Sequence, residues 1–283
     1  MTNQANVIFL HIPKTAGQSV HSFLVRLFGP EAIGPARVNE QLILLSVPEI
    51  RAYRVFSGHM DWALLDCVER PRFVFTVLRD PVDRILSFYF FLRREAQRLS
   101  AEELRLPQNQ GKHAALHLSC DDYFCGGGPM IRTFLDNHYD NFYTYYFAGR
   151  TFDARQRLLG QQRANPALTE QKILDLAFAN LTVLDAVYPL DGLGRLEEDL
   201  CRIAGGKVDG MALQTLRINR GDNDDGESRM DKLRELGATA RTFDRIKAMT
   251  RLDQLIWSEV RDRAGAAAPA YRRVEAVGGE RPV

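Results

Sequence analysis

The stretch "NVIFLHIPKTAGQSVHSFLVRLFG", residues 6–29, places one lysine and several small polar donors in a short turn. Pro13, Lys14, Thr15, Ala16, Gly17, Gln18 and Ser19 follow a continuous apolar run, "VIFLH" at 7–11. A helix that starts from such a turn leaves its first backbone N–H groups without partners, and its dipole adds partial positive charge there. That is a cradle for an anion. Gly17 lets the backbone approach a ligand closely. Thr15, Gln18 and Ser19 can donate to oxyanions, Lys14 brings a full charge, and Pro13 fixes the approach to the turn. The chemistry implied is phosphate or sulfate handling. The segment lacks both glycines of G-x-x-x-x-G-K-[ST] ahead of Lys14, and it lacks G-x-G-x-x-G. These absences weaken the ATPase, kinase and dinucleotide readings.

A second stretch, "FVFTVLRDPVDRILSFYFF" (73–91), sets Arg79 at the end of a strand. Asp80 stands at an N-cap position and Pro81 at the first helical position. Arg84 and Ser87 are three apart and share a helix face. Arg79 and Ser87 together can grip a phosphate by fork and hydroxyl. Asp80 and Arg84 have an equally good structural reading, as a helix cap paired with a basic residue one turn on.

The elements that must hold these residues follow from periodicity. The apolar run at 7–11 reads as a strand buried on both faces, and Val20, Phe23, Leu24 and Leu27 recur at helical spacing from Ser19 to Phe28. "YRVFSGH" (53–59) and "RFVFTVLR" (72–79) read as further strands, and a helix follows Pro81. The alternation predicts an α/β fold, a three-layer open parallel sheet flanked by helices with a P-loop-like first turn. Residues 1–265 are expected to form one domain with a helical or irregular surface excursion at about 99–130. Helical segments are expected near 130–136 and over 169–179, a late strand and loop within 181–193, and a final helix over about 239–262. The turn-rich stretch 218–229 reads as mobile and the tail 266–283 as frayed.

Composition narrows the partners. Lys+Arg at 37 against Asp+Glu at 36 gives a formal net charge of +1, so no global field recruits nucleic acid or anionic lipid. With no charged-then-apolar leader and no apolar run near the roughly 20 residues of a membrane helix, a soluble cytoplasmic protein is expected. Cys120 and Cys125 have no matching second pair, so a zinc site is poorly supported and the four cysteines are expected to be reduced.

On these two stretches the chain resembles the PAPS-dependent sulfotransferases, in the branch that includes the heparan sulfate 2-O-sulfotransferases and bacterial relatives. "HIPKTAGQS" is similar to that family's loop for the 5′-phosphosulfate of 3′-phosphoadenosine 5′-phosphosulfate, and "LRDPVDRILSFY" to its 3′-phosphate site. The resemblance implies that Lys14, Thr15, Ala16, Gly17, Gln18, Ser19, Arg79 and Ser87 hold the nucleotide. It also implies that the histidine after the G-H step of "VFSGHMDW", His59, is the general base; an imidazole suits that task near neutral pH. Lys14 would then neutralise the leaving oxygen, with no metal required. His11 is expected to serve as scaffold of the loop.

The family's acceptors imply a carbohydrate hydroxyl. Arg150, Arg155, Arg157 and Arg163 could meet an acidic glycan or form a solvated helix face, and the run "FYTYYF" could stack on sugar rings or be core. Where family members often carry an arginine, this chain has Tyr145. In relatives a late basic loop closes over the nucleotide, and Arg217 and Arg220 are the nearest matches. A P-loop phosphotransferase and a non-catalytic nucleotide- or glycan-binding module are the alternatives.

Overall fold

The computed structural model describes residues 5–206, 212–213 and 226–265. Four parallel strands form one sheet in the order β2-β1-β3-β4: β1 is Asn6–Leu10, β2 Val55–Gly58, β3 Arg72–Leu78 and β4 Ala186–Pro189. The register is set by Val7 opposite Val55, Asn6 opposite Arg72 and Phe75 opposite Ala186. Because side chains alternate across a strand, β1 feeds two cores at once. Val7 and Phe9 pack with Val20, Phe23 and Leu24 of helix α1 (Gly17–Phe28) and with Leu196 and Leu200 further on. Ile8 and Leu10 face the opposite layer, among Tyr143, Phe147, Ile173 and Trp257. Both faces are covered, which is why the strand reads as one apolar run.

After β3, Asp80 accepts from the Asp83 N–H at 2.9 Å and Pro81 opens helix α2 (Pro81–Ala96). The stretch expected as a surface excursion is built of short helices. Ala101–Arg105 is followed by α3 (Gln110–His117) and a π-helical turn over Asp122–Gly126. Tyr123 and Phe124 of that turn are fully buried against Ile85, Leu86 and Tyr89 of α2. Helices α4 (Pro129–His138), α5 (Phe142–Gly149), α6 (Ala154–Ala164), α7 (Glu170–Leu181) and α8 (Leu193–Ala204) follow in order. The described residues end in α9 (Gly226–Glu235), α10 (Ala240–Met249) and α11 (Arg251–Gly265), and the tail 266–283, expected as frayed, lies outside them.

One expectation needs correction, and two readings left open are decided. The final helix is two helices, because Thr250 leaves helical geometry (φ −114°, ψ 3°) and its hydroxyl donates back to the Ile246 carbonyl at 3.0 Å. The run "FYTYYF" is core: Phe142 through Phe147 are all buried. The arginines after it mostly serve the fold. Arg155 pairs with Asp140 at 2.6 Å, Arg150 bonds Asn180 at 2.6 Å, and Arg157 donates to the Gly149 carbonyl at 2.7 Å. Only Arg163 stands exposed without such a contact among the described residues. All four cysteines are free thiols. Among the described residues no helix is long and apolar enough to cross a membrane, and no cluster of His, Cys, Asp and Glu could hold a metal ion.

Candidate functional site

The turns after β1, β2 and β3 meet at one sheet edge, the carboxyl edge where open α/β sheets bind ligands. In the first turn Lys14 (φ 72°) and Ala16 (φ 62°) both adopt the left-handed conformation, which costs a non-glycine residue about 1 kcal/mol or more. No side chain caps α1, so its leading N–H groups point into the turn. Thr15 departs from expectation. Its side chain is fully buried and its hydroxyl donates to the Ile12 carbonyl at 2.8 Å, so it shapes the turn and offers an anion only its main chain. Gln18 is exposed and Ser19 half-buried. Gly17 has a reason the sequence did not show: a Cβ there would lie 1.8 Å from the His11 ring. Glycine makes room for that imidazole.

The second stretch, around Arg79, touches the first turn. An Nη1 of Arg79 donates to the Lys14 carbonyl at 3.4 Å, and the Lys14 ammonium lies 3.9 Å from the centre of the Phe91 ring. Asp83, Ser87 and Phe91 are four residues apart and line one face of α2. Asp83 pairs with Arg79 and, at 2.6 Å, with Arg229 of α9. These three side chains are at most 14% exposed. Of the two readings left open for Asp80 and Arg84, the cap forms and the pair does not. Asp80 is the cap, and Arg84 turns into the core, where it donates to the His138 carbonyl at 2.8 Å and lies over Phe142 and Tyr143. The ion pair falls one residue earlier, between Arg79 and Asp83, at the same four-residue spacing.

His59 ends up beside the first turn. Its ring stacks on His11 with centroids 4.3 Å apart, and its Nδ1 lies 2.8 Å from the His11 carbonyl. A carbonyl only accepts, so Nδ1 carries the hydrogen and Nε2 keeps its lone pair. Burial pushes the His59 pKa down; the bond to His11 opposes this and the charge of Arg37 adds to it. Arg37 was not singled out in the sequence. Its carbonyl accepts the His59 N–H at 2.8 Å, and its guanidinium donates to His21 Nδ1. Gly58 is required by the same crossing, since a Cβ there would sit 2.4 Å from the Arg37 oxygen. His11, by burial first and then by the charges of His59, Arg37, Lys14 and His21, is held well below the ordinary histidine range. His21 is pushed to about 4 by burial and Arg37. The permanent charges that act on these three imidazoles, Arg37 and Lys14, are both cationic, the setting an anionic ligand would relieve. Asp61, a carboxylate two residues beyond His59, accepts the Phe152 N–H at 2.9 Å.

The structure thus brings together Lys14, Gly17, Arg79, Ser87 and His59, and adds Arg37, Asp83, Phe91 and Arg229. The four-residue step from Arg79 to Asp83 was a readable signal. Arg229 gave none, because it meets Asp83 across 146 residues of chain. Arg217 and Arg220 lie outside the described residues.

An open parallel sheet, covered by helices on both faces and with an uncapped helix start after its first strand, has the architecture of the sulfotransferase fold. Residues 1–154 match the model of the sulfotransferase family, and the chain belongs to that family. It is also similar to a protein-tyrosine sulfotransferase of Arabidopsis thaliana, 32% identical over 87 residues. That match covers 30% of this chain and 17% of the plant protein, so the chain spans only a small part of that relative.

Proposed function

We propose that the protein transfers the sulfuryl group of 3′-phosphoadenosine 5′-phosphosulfate to an acceptor hydroxyl, most simply one on a carbohydrate. The observation that carries this reading is the bond between Arg79 and the Lys14 carbonyl, which joins two anion sites that suit a donor phosphorylated at both ends. The turn from Lys14 to Ser19 fits the 5′-phosphosulfate through its left-handed backbone and uncapped helix start. Arg79 and Ser87 fit the 3′-phosphate, and that remote binding energy orients the reacting end.

In this reading His59 Nε2 takes the acceptor proton as the hydroxyl oxygen attacks sulfur in line. Lys14 and the loop N–H groups stabilise the charge that builds on the departing phosphate oxygen. The product nucleotide is 3′-phosphoadenosine 5′-phosphate. The name of the plant relative favours a second acceptor, the tyrosine phenol. Transfer of labelled sulfuryl to a panel of glycans and tyrosine peptides tests both. Label on a glycan supports the first reading and label on a peptide the second; none on either, with nucleotide bound, leaves a binding module. ATP bound more tightly than 3′-phosphoadenosine 5′-phosphate would instead support a phosphotransferase.

A further inference from the structure

Helix α5 lies under the site and reaches both of its halves with tyrosine hydroxyls. The Tyr143 hydroxyl donates to the Arg79 carbonyl at 2.9 Å and accepts the Arg79 N–H at 3.2 Å. Three residues on, the Tyr146 hydroxyl donates to the Met60 carbonyl at 2.8 Å, next to His59. Residues three apart share a helix face, so one surface of α5 serves both turns.

The chemistry explains the choice of residue. Arg79 follows the last residue of β3 and Met60 lies beyond β2, so their main-chain groups are outside the sheet ladder and need partners. A tyrosine buries a large apolar ring and still carries a polar tip. Both rings are at most 1% exposed, which excludes any contact with an acceptor sugar. The helix is itself fixed in position. Asp253 of α11 accepts from the N–H groups of Tyr143 and Thr144 at 3.0 and 2.9 Å and from the Thr144 hydroxyl at 2.8 Å. Arg84 of α2 lies over the Tyr143 ring, 5.3 Å from its centre. Beyond α5 the base loop is tied again, through Trp62 N–H to the Arg150 carbonyl at 3.0 Å and Phe152 N–H to Asp61.

We infer that α5 sets the spacing between the two halves of the site, Tyr143 being the positioning residue for Arg79 and Tyr146 the positioning residue for His59. The inference rests on the reading above, in which Arg79 holds the 3′-phosphate and His59 accepts the proton. Neither tyrosine touches substrate; each acts through the residue whose main chain it holds.

Three variants of the whole chain separate this from a role in stability alone. Tyr143→Phe and Tyr146→Phe each lose one hydroxyl and keep the ring. Tyr139→Phe is the control, because its hydroxyl shares a bond of 3.0 Å with Tyr123 in the helical layer. Calorimetric titration with 3′-phosphoadenosine 5′-phosphate and with adenosine 5′-monophosphate reads the 3′-phosphate site. The rate of His59 carbethoxylation, followed by peptide mapping, reads the base loop.

Tyr143→Phe should bind the 3′-phosphorylated nucleotide about tenfold more weakly, the scale of one lost hydrogen-bonded anchor. Its affinity for the monophosphate and its His59 reactivity should be unchanged. Tyr146→Phe should keep both affinities and show His59 modified severalfold faster. Tyr139→Phe should change neither reading. Equal losses in all three variants, no crossover between the first two, or a Tyr143→Phe chain unfolded under the assay conditions would overturn the inference. A wild-type chain that does not prefer the 3′-phosphorylated nucleotide would remove the underlying reading, and this inference with it. Wild-type preference retained in Tyr143→Phe would remove the inference alone.

Discussion

An Nη1 of Arg79 donates to the main-chain carbonyl of Lys14 at 3.4 Å, so the residue read as the 3′-phosphate anchor also holds the turn read as the 5′ cradle. Asp83 fixes the same guanidinium from its other side and shares its second oxygen with Arg229. Arg79→Ala should therefore weaken 3′-phosphoadenosine 5′-phosphate by about 1.5–3 kcal/mol, the range of a hydrogen bond to a charged group. Adenosine 5′-monophosphate should lose less, because it lacks the 3′-phosphate. Arg79→Lys should recover part of the charge and little of the fork. Calorimetry with the two nucleotides checks this, and equal losses for both would place Arg79 outside the 3′ site.

Lys14 lies over the Phe91 ring and beside Arg79. Lys14→Ala should depress single-turnover transfer more than it depresses binding of the product nucleotide, since the charge it is assigned to stabilise builds only as the S–O bond breaks. Normal turnover in that variant would assign the leaving-group role elsewhere.

Gly17→Ala offers a steric test of the same turn. A Cβ 1.8 Å from the His11 ring must move that ring, which is packed between Phe9 and His59. Overpacking of this kind costs about 1–3 kcal/mol. The melting temperature should fall and nucleotide affinity should fall with it, because the displaced His11 also carries the carbonyl that orients His59. A variant with unchanged stability and unchanged affinity would show that the turn has slack the packing does not suggest.

Stability should also fall in acid, and the sign follows from the buried imidazoles. His21 and His138 are each pushed to about 4, both by burial first, with Arg37 acting on His21 and Arg84 on His138. An unfolded histidine titrates near 6.5. Between about 6.5 and 4 the unfolded chain binds protons that the folded chain refuses, so this stability is complete above pH 6.5 and is lost as pH drops toward 4. His11, held well below the ordinary histidine range by burial, acts in the same direction. His59, lowered by burial, adds to them. Asp253, raised to about 6 by burial, opposes them, since the folded state takes its proton first. With four imidazoles set against one carboxylate, the melting temperature should decline from pH 6.5 to 4.5. A flat profile would mean that the histidines are hydrated in solution.

Much of this was legible in the residues. The first strand, turn and helix were readable because a strand buried on both faces is continuously apolar and the helix that follows has a single apolar stripe. Arg79, Asp80 and Pro81 were readable because caps and strand ends are local. What the sequence hid was contact between distant segments. Arg229 reaches Asp83 and Tyr143 reaches Arg79 only once the helical layers have packed. Nor could the reason for Gly17 be read, because it depends on where the His11 ring lies. The aromatic run of α5 could not be assigned from composition, since core and sugar-stacking surfaces use the same residues; burial decides it.

His59 is the residue on which the proposed chemistry depends most directly. Its Nδ1–H is held by the His11 carbonyl at 2.8 Å, which leaves Nε2 as the basic nitrogen. Burial, with Arg37 adding, lowers its pKa against the opposing pull of that bond. The imidazole is therefore neutral at pH 7 and able to accept a proton, and the acid limb of the rate should lie below the ordinary histidine value of about 6.5. His59→Ala should keep the fold and nucleotide affinity, lose roughly two to four powers of ten in transfer rate, and lose that acid limb. His59→Gln, which can still donate to His11 but cannot accept a proton from the acceptor, should be equally slow. If His59→Gln matched the wild-type rate, the orientation of the loop would matter and its basicity would not. If both variants transferred within a few-fold of wild type, the base would have to be sought elsewhere, beginning with the Asp61 carboxylate that the Phe152 N–H holds nearby.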